Sequence, residues 1–260
     1  DRDGKYQLAS LAESGFDPLS RSCRFMLTEE AHHMFVGESG VGRVVQRACE
    51  LMLEHDSGDL RDHGGIPLDL IQRYINFHFS VSIDLFGSEL STNAANYFSG
   101  GLKGRFGEAK LDDDHLLRDA TYPVMEAYGK GFQNVEHPAL NAVNERLRDN
   151  YVEDCQRGLN RWNKIIADSG IDFELRLPHR AFNRRIGNFA EIPVTPEGQI
   201  IDAAQWQANH DKWLPSSADR VYVSSLMAPV TERGRMANWI APPARGINRQ
   251  AIDFEYVKLN

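Results

Sequence analysis

Along the first 168 residues apolar side chains recur at helical spacing, and beyond them that period breaks down. Leu8 and Leu11 place a first helix that runs to about Ser14, where GFDPLS interrupts it through Gly15 and Pro18. A long second helix is predicted from about Leu19 into the fifties; Gly37, Gly40 and Gly42 on it invite a kink or a close helix approach. After the polar loop HDSGDLRDHGG, Pro67 suits a first helical position, and LDLIQRYINFHFSVSIDLFGSEL continues as helix. Residues 100–136 are polar, glycine-containing and less regular. HPALNAVNERLRDNYVEDCQRGLNRWNKII is another amphipathic helix, with Leu140, Val143, Leu147, Cys155, Leu159 and Trp162 broadly on one side. After Gly170, FELRLP, AEIPVTPEGQII and DFEYVKL read as short strands, the second turning around Pro196-Glu197-Gly198. Asp202 suits the cap of a short helix through Trp213. The pattern predicts a mainly α protein. Residues 1–168 form part of a helical bundle, and 169–260 form an irregular C-terminal extension of short strands, a short helix and loops.

Composition changes this picture little. With 42% hydrophobic and 25% charged residues, the 260-residue chain has the make-up of a soluble globular protein. A net charge of −8 argues against nucleic acid as a partner. No apolar run approaches the roughly 20 residues that span a bilayer, so no membrane partner is expected. Three widely spaced cysteines, Cys23, Cys49 and Cys155, suit a reducing, cytoplasmic compartment better than a disulfide framework. GESGVG lacks the preceding strand of a dinucleotide-binding turn. The start, DRDGKYQLASLAESGF, has no Met and reads as the inside of a structural element, so a fragment of a longer protein is expected.

The chemistry concentrates in LTEEAHH, residues 27–33, where two Glu-x-x-His pairs overlap: Glu29 with His32, and Glu30 with His33. At about 100° per residue, Met26, Glu30, His33, Gly37 and Val44 share one stripe, and Glu29 and His32 turn away from it. Glu30 and His33 are therefore expected to face the interior. A buried carboxylate needs a partner. A metal ion would serve, and Glu-x-x-His is the ligand spacing of carboxylate-bridged di-iron bundles. The competing reading is a buried Glu–His hydrogen bond or an exposed capping pair. A helical hairpin would bring Asp1, ~20 Å before Ser14, level with Glu30, ~18 Å beyond Pro18, at 1.5 Å per residue. Asp3 is the rival carboxylate, and Glu13 sits too near the turn. A complete site needs a second such half. The only other acidic-x-x-His, Asp112 with His115, lacks an apolar stripe and is expected at the surface.

DRDGKYQLASLAES, FDPLSR, FMLTEEAHHMFVGESG, NERLRD and ANWIAPPARGIN closely resemble the oxygenase (epoxidase) component of benzoyl-CoA 2,3-epoxidases. The likeness runs over essentially the whole chain and matches the C-terminal part of these larger proteins. The resemblance implies a ferritin-like class I di-iron oxygenase with iron ligands at Asp1, Glu30 and His33. The remaining Glu and the second Glu-x-x-His would lie upstream. It also implies two iron ions, O2 and benzoyl-CoA as reactants, NADPH electrons arriving through a separate flavin/iron-sulfur reductase, and a role in aerobic benzoate degradation. Alternatives are a ferritin-like di-iron monooxygenase acting on another acyl-CoA, and a metal-free helical scaffold subunit.

Other residues compete for a substrate role. LRLPHRAFNRRIG holds Arg176, His179, Arg180, Arg184 and Arg185; Arg184 and Arg185 are candidates for the phosphates of coenzyme A, against a solvated or interface basic strip. His78 and Asp84 are candidates to line a substrate cavity, against a satisfied core histidine. Tyr74, Phe77, Phe79 and Phe86 could meet an aromatic ring, although ordinary packing is the default for such a stripe. Cys155 reads as a small buried residue.

Overall fold

The structure is a computed structural model, and it describes residues 2–231 and 236–243. Helix α1 (Arg2–Ala12) is followed by α2 (Asp17–His55), α3 (Leu68–Asp84) and α4 (Thr92–Ser99). A β-hairpin of β1 (Thr121–Tyr128) and β2 (Gly131–Pro138) leads into α5 (Val143–Asp168), and α6 (Ala203–Trp213) and α7 (Ser217–Leu226) close the described order. The protein is mainly α-helical, as the periodicity requires. Among the described residues no helix is long and apolar enough to cross a membrane.

The chain forms two compact units, each drawn from several segments. One unit takes residues 1–36, 76–157 and 177–210; the other takes 37–75, 158–176 and 211–260. The reason is helix length: α2, α3 and α5 each contribute to both units, so a boundary in sequence cannot separate them.

In the first unit α1, α3 and α5 meet around Tyr6, Phe79, Ile83, Phe86, Leu147 and Tyr151. The Tyr151 ring lies 5.3 Å from Phe86 and 6.1 Å from Phe79, so Phe79 and Phe86 are core residues. A second cluster, Ala181, Phe189 and Val194, receives Met125 and Phe132 from the hairpin. Between 177–201 and the helices lies a layer of buried charge. Arg184 holds Asp84 and Glu89, Arg148 holds Glu145, and Arg180 holds Glu145 and Asp149. Burying such charges is tolerable only when they are paired.

In the second unit α2 runs as one unbroken helix past its glycines. Gly40 faces open space, and a Cβ at Gly42 would lie at an ordinary 3.4 Å from Ile165. Asp219 caps α7 in a reciprocal box with Ser216 and pairs with Arg61 and Arg73. Burial alone would raise its carboxyl, but the Ser216 hydrogen bonds and the two arginines together hold it below its ordinary value.

FELRLP is not a strand. Its backbone is satisfied by side-chain amides instead. Asn163 bonds both the N–H and the carbonyl of Leu175 at 2.8 Å. Gln72 does the same for Arg176, at 2.8 and 2.7 Å. AEIPVTPEGQII forms one isolated bridge, Val194 to Ile200, about its turn rather than a strand pair. DFEYVKL lies outside the described residues. The regular strands occur instead within 121–138, inside a stretch read as irregular, and they take the first residues expected of the fourth helix. The capped helix from Asp202 is present: Asp202 Oδ1 accepts from Gln205 N at 2.7 Å, and Gln205 answers at 3.2 Å.

Candidate metal centre

The first two helices form the expected hairpin. The Ala12 carbonyl accepts from Ser20 Oγ at 2.5 Å and from Arg24 Nε at 3.3 Å, close to the turn. At the far end Gly4 of α1 lies against Glu30 of α2. The paired positions approach one another along the chain as they near the turn, which is the signature of antiparallel helices. A Cβ on Gly4 would sit 2.8 Å from Glu30 Oε1, so a side chain at residue 4 would push the Glu30 carboxylate aside.

Glu30 is the unusual group. Its side chain is 19% exposed, and Oε2 is buried with no hydrogen-bond partner among the described residues. A carboxylate oxygen left in that condition costs free energy unless a donor or cation completes it. The nearest basic atom is His33 Nδ1, 4.0 Å away, too far for a hydrogen bond. Two ligand bonds of about 2.0–2.2 Å to a common ion span such a gap. The separation excludes a direct Glu–His hydrogen bond and does not by itself select a cation.

The choice of register is supported at the glutamate and not at the histidine. Glu29 is exposed while Glu30 is half-buried, but His33 and His32 are both exposed, His33 by 54%. The stripe expected to face inward is also open. Met26 is 49% exposed, and elsewhere on α2 Phe25 and Val36 are 72% and 52% exposed. The helical period identifies an apolar face, but a face is buried only where another element packs on it. Among the described residues none covers this one. Asp1 lies outside the described residues. Asp3 acts electrostatically on Tyr151 and Cys155. There, burial first and nearby Asp154 and Asp3 after it push the Cys155 thiol up to about 11. Among the described residues no cluster of three or more histidine, cysteine or acidic side chains is placed to hold a metal ion. Asp112 and His115 are exposed as expected, and His115 bonds Glu108 at 2.8 Å.

The substrate candidates fare unevenly. Arg184 is buried, and each of its three guanidinium nitrogens has a partner. Nε and Nη1 meet Asp84 and Glu89, and Nη2 donates to the Ile186 carbonyl at 3.0 Å. Two carboxylates already neutralise it, which argues for a structural cation rather than a phosphate ligand. Asp84, expected near a substrate cavity, belongs to the same ion network. Arg185 is exposed, with only its backbone N–H tied to Asp84. His78 is exposed and edge-on to Phe77 at 5.2 Å.

Gly4 escaped the sequence reading. The available signal was a glycine in a helix interior, which costs about 0.5–1 kcal/mol relative to alanine and so asks for a reason. Gly4→Ala is expected to leave the thermal midpoint unchanged or raised while displacing the Glu30 carboxylate and lowering bound iron. Circular-dichroism melting and elemental analysis of one preparation check both halves; unchanged iron would show that the Glu30 position does not matter.

These features define a mainly α-helical protein whose first hairpin presents a carboxylate and an imidazole to a possible cation. No family model matches the chain. It is 56% identical to benzoyl-CoA oxygenase component B of Aromatoleum evansii over 263 aligned residues, which take in the whole of this chain and 56% of that relative. The chain belongs to the family of that oxygenase component, and it spans about half the length of the relative.

Proposed function

We propose that the protein carrying this chain is the oxygenase component of a benzoyl-CoA 2,3-epoxidase, and that this chain contributes one half of a di-iron centre. The likeness along the entire chain to a benzoyl-CoA oxygenase component carries the reading. The unpartnered Oε2 of Glu30 supports the metal. Glu30 and His33 would hold iron, with Asp1 as the third ligand and the remaining ligands outside these residues, in a ferritin-like arrangement. Bound iron supplies the redox chemistry by which O2 is activated. One oxygen atom adds across the 2,3 bond of the ring, and the other leaves as water with two protons and two electrons. Those electrons derive from NADPH through a separate flavin/iron-sulfur reductase.

This chain's own residues do the positioning. Gly4 leaves the space that the Glu30 carboxylate occupies. Met26, one turn before Glu30 on the same stripe, would help exclude water once covered. A metal-free scaffold is the second reading; the exposure of His33 and the lack of a three-donor cluster among the described residues favour it.

The test is benzoyl-CoA-dependent O2 uptake by the protein with its reductase, with mass spectrometry of the product after 18O2 labelling. One labelled oxygen in an epoxide of benzoyl-CoA is expected, and the 260 residues by themselves are expected to be inactive. Iron-loaded protein that consumes no O2 with benzoyl-CoA would refute the proposal. Protein that never retains iron would favour the scaffold.

A further inference from the structure

We infer that a second site in the first unit binds a small organic carboxylate with an apolar body through the ammonium of Lys103. A cavity of about 150 Å³ is lined by Leu11, Leu85, Phe86 and Leu147 on its apolar side and by Gln7, Ser10, Asn144 and Lys103 on its polar side. That volume is enough for a benzene ring, which would lie against the apolar half of the lining. The cavity is partly open, which leaves room for an anionic group beside the ring.

The polar side is arranged for an acceptor. Lys103 Nζ donates to Asn144 Oδ1 at 2.9 Å and has no carboxylate within ion-pair distance among the described residues. The other buried cations of this unit all have one. Arg105 is clamped by Glu108 and Asp113, and Arg148 and Arg184 by the carboxylates already described. Lys103 is half-buried, and burial lowers its ammonium below the ordinary lysine value. A carboxylate would supply the missing counter-charge and two strong acceptor oxygens. Asn144 Nδ2 has no partner among the described residues, and because Oδ1 already accepts from Lys103, that amide presents its N–H donors beside the ammonium. Ser10 contributes no donor, since its hydroxyl is given to the Gly104 carbonyl at 2.6 Å. Gln7 is likewise engaged, donating to the Leu85 carbonyl at 3.3 Å. Recognition therefore rests on Lys103 and Asn144, with the apolar wall selecting the body of the ligand.

This inference is independent of the metal centre. The ligand is a free acid, and no step of the proposed oxygenation uses the cavity. Benzoate is the probe, with benzamide as its neutral counterpart and inorganic phosphate as a test for a general anion site. Isothermal titration of the unaltered chain should show benzoate binding roughly tenfold or more tighter than benzamide, as expected for a charged hydrogen-bonded partner. Phosphate should not compete. Benzoate affinity should fall as pH rises through the lowered Lys103 value, because the neutral amine no longer offers a charge. Lys103→Met, which keeps the aliphatic stem, should abolish the preference for benzoate over benzamide. Equal binding of the two probes, no binding of benzoate, or competition by phosphate would each overturn the proposal. The two-probe comparison on the unaltered chain decides the matter even if Lys103→Met fails to fold.

Discussion

Arg184→Met should lower the thermal midpoint by roughly 10 °C, the consequence of removing one partner from a buried ion network at about 3–5 kcal/mol, with each kcal/mol worth about 2–4 °C in a chain of this size. The guanidinium side chain is 1% exposed, as is Glu89, and Asp84 is 11% exposed. Methionine fills much of the volume but offers no donors, so Asp84 would lose its cation and Glu89 would keep only Arg148 as a cation, at 3.7 Å. Glu89 would keep the Asn188 N–H at 2.7 Å, and Asp84 the Arg185 N–H at 2.8 Å. Two backbone hydrogen bonds do not replace a guanidinium. Arg185→Met, one position along and exposed, should change stability by no more than about 0.5 kcal/mol. Circular-dichroism melting of the two variants side by side is the measurement. Equal midpoints would mean that Arg184 is not the cation that fastens 177–201 to the helices.

The second large effect concerns the overlapping pairs. Glu30→Ala is expected to reduce iron affinity by at least the ~10–100-fold that loss of a supporting partner costs a metal site, since a direct ligand matters more. Glu29→Ala should leave iron in place. His33→Ala should follow Glu30, and His32→Ala should follow Glu29. The stability effect runs the other way. Among the described residues Glu30 Oε2 is buried without a partner, so removing it in metal-free protein relieves a desolvation cost of about 1–3 kcal/mol. Metal-free Glu30→Ala should therefore melt at or above the parent temperature while binding less iron. Elemental analysis gives the metal, and melting with and without chelator gives the stability. Iron retained by Glu30→Ala but lost from Glu29→Ala would place the site in the other register.

Local order was legible wherever one period dominated. The helices α1, α2, α3 and α5 follow from apolar spacing, and α6 from Asp202 before its first turn. The β-hairpin was hidden because Pro123 breaks the strand pattern, while its close depends on Gly129 at φ 59° in the short turn before Gly131. FELRLP shows the reverse error. Phe173, Leu175 and Leu177 alternate as a strand should, but the neighbouring hydrogen-bonding groups are the amides of Asn163 and Gln72. Alternation reports which side chains share a face and says nothing about what pairs with the backbone.

The candidate site divides in the same way. Helical geometry, read from residues 26–44 alone, was enough to prefer Glu30 over Glu29, because rotation per residue is a property of the local backbone. The antiparallel hairpin followed from two helix lengths and a short turn. Tertiary structure decided the rest. It set Gly4 against Glu30, left Lys103 without a carboxylate, and left His33 at the surface. It also turned Arg184 inward onto Asp84 and Glu89, about a hundred positions earlier in the chain, where the sequence shows only a basic strip. A side chain's charge is fixed by its identity, but its partner is fixed by what the fold packs beside it. Burial then makes that partner obligatory, because a charge removed from water must be neutralised by whatever lies within reach.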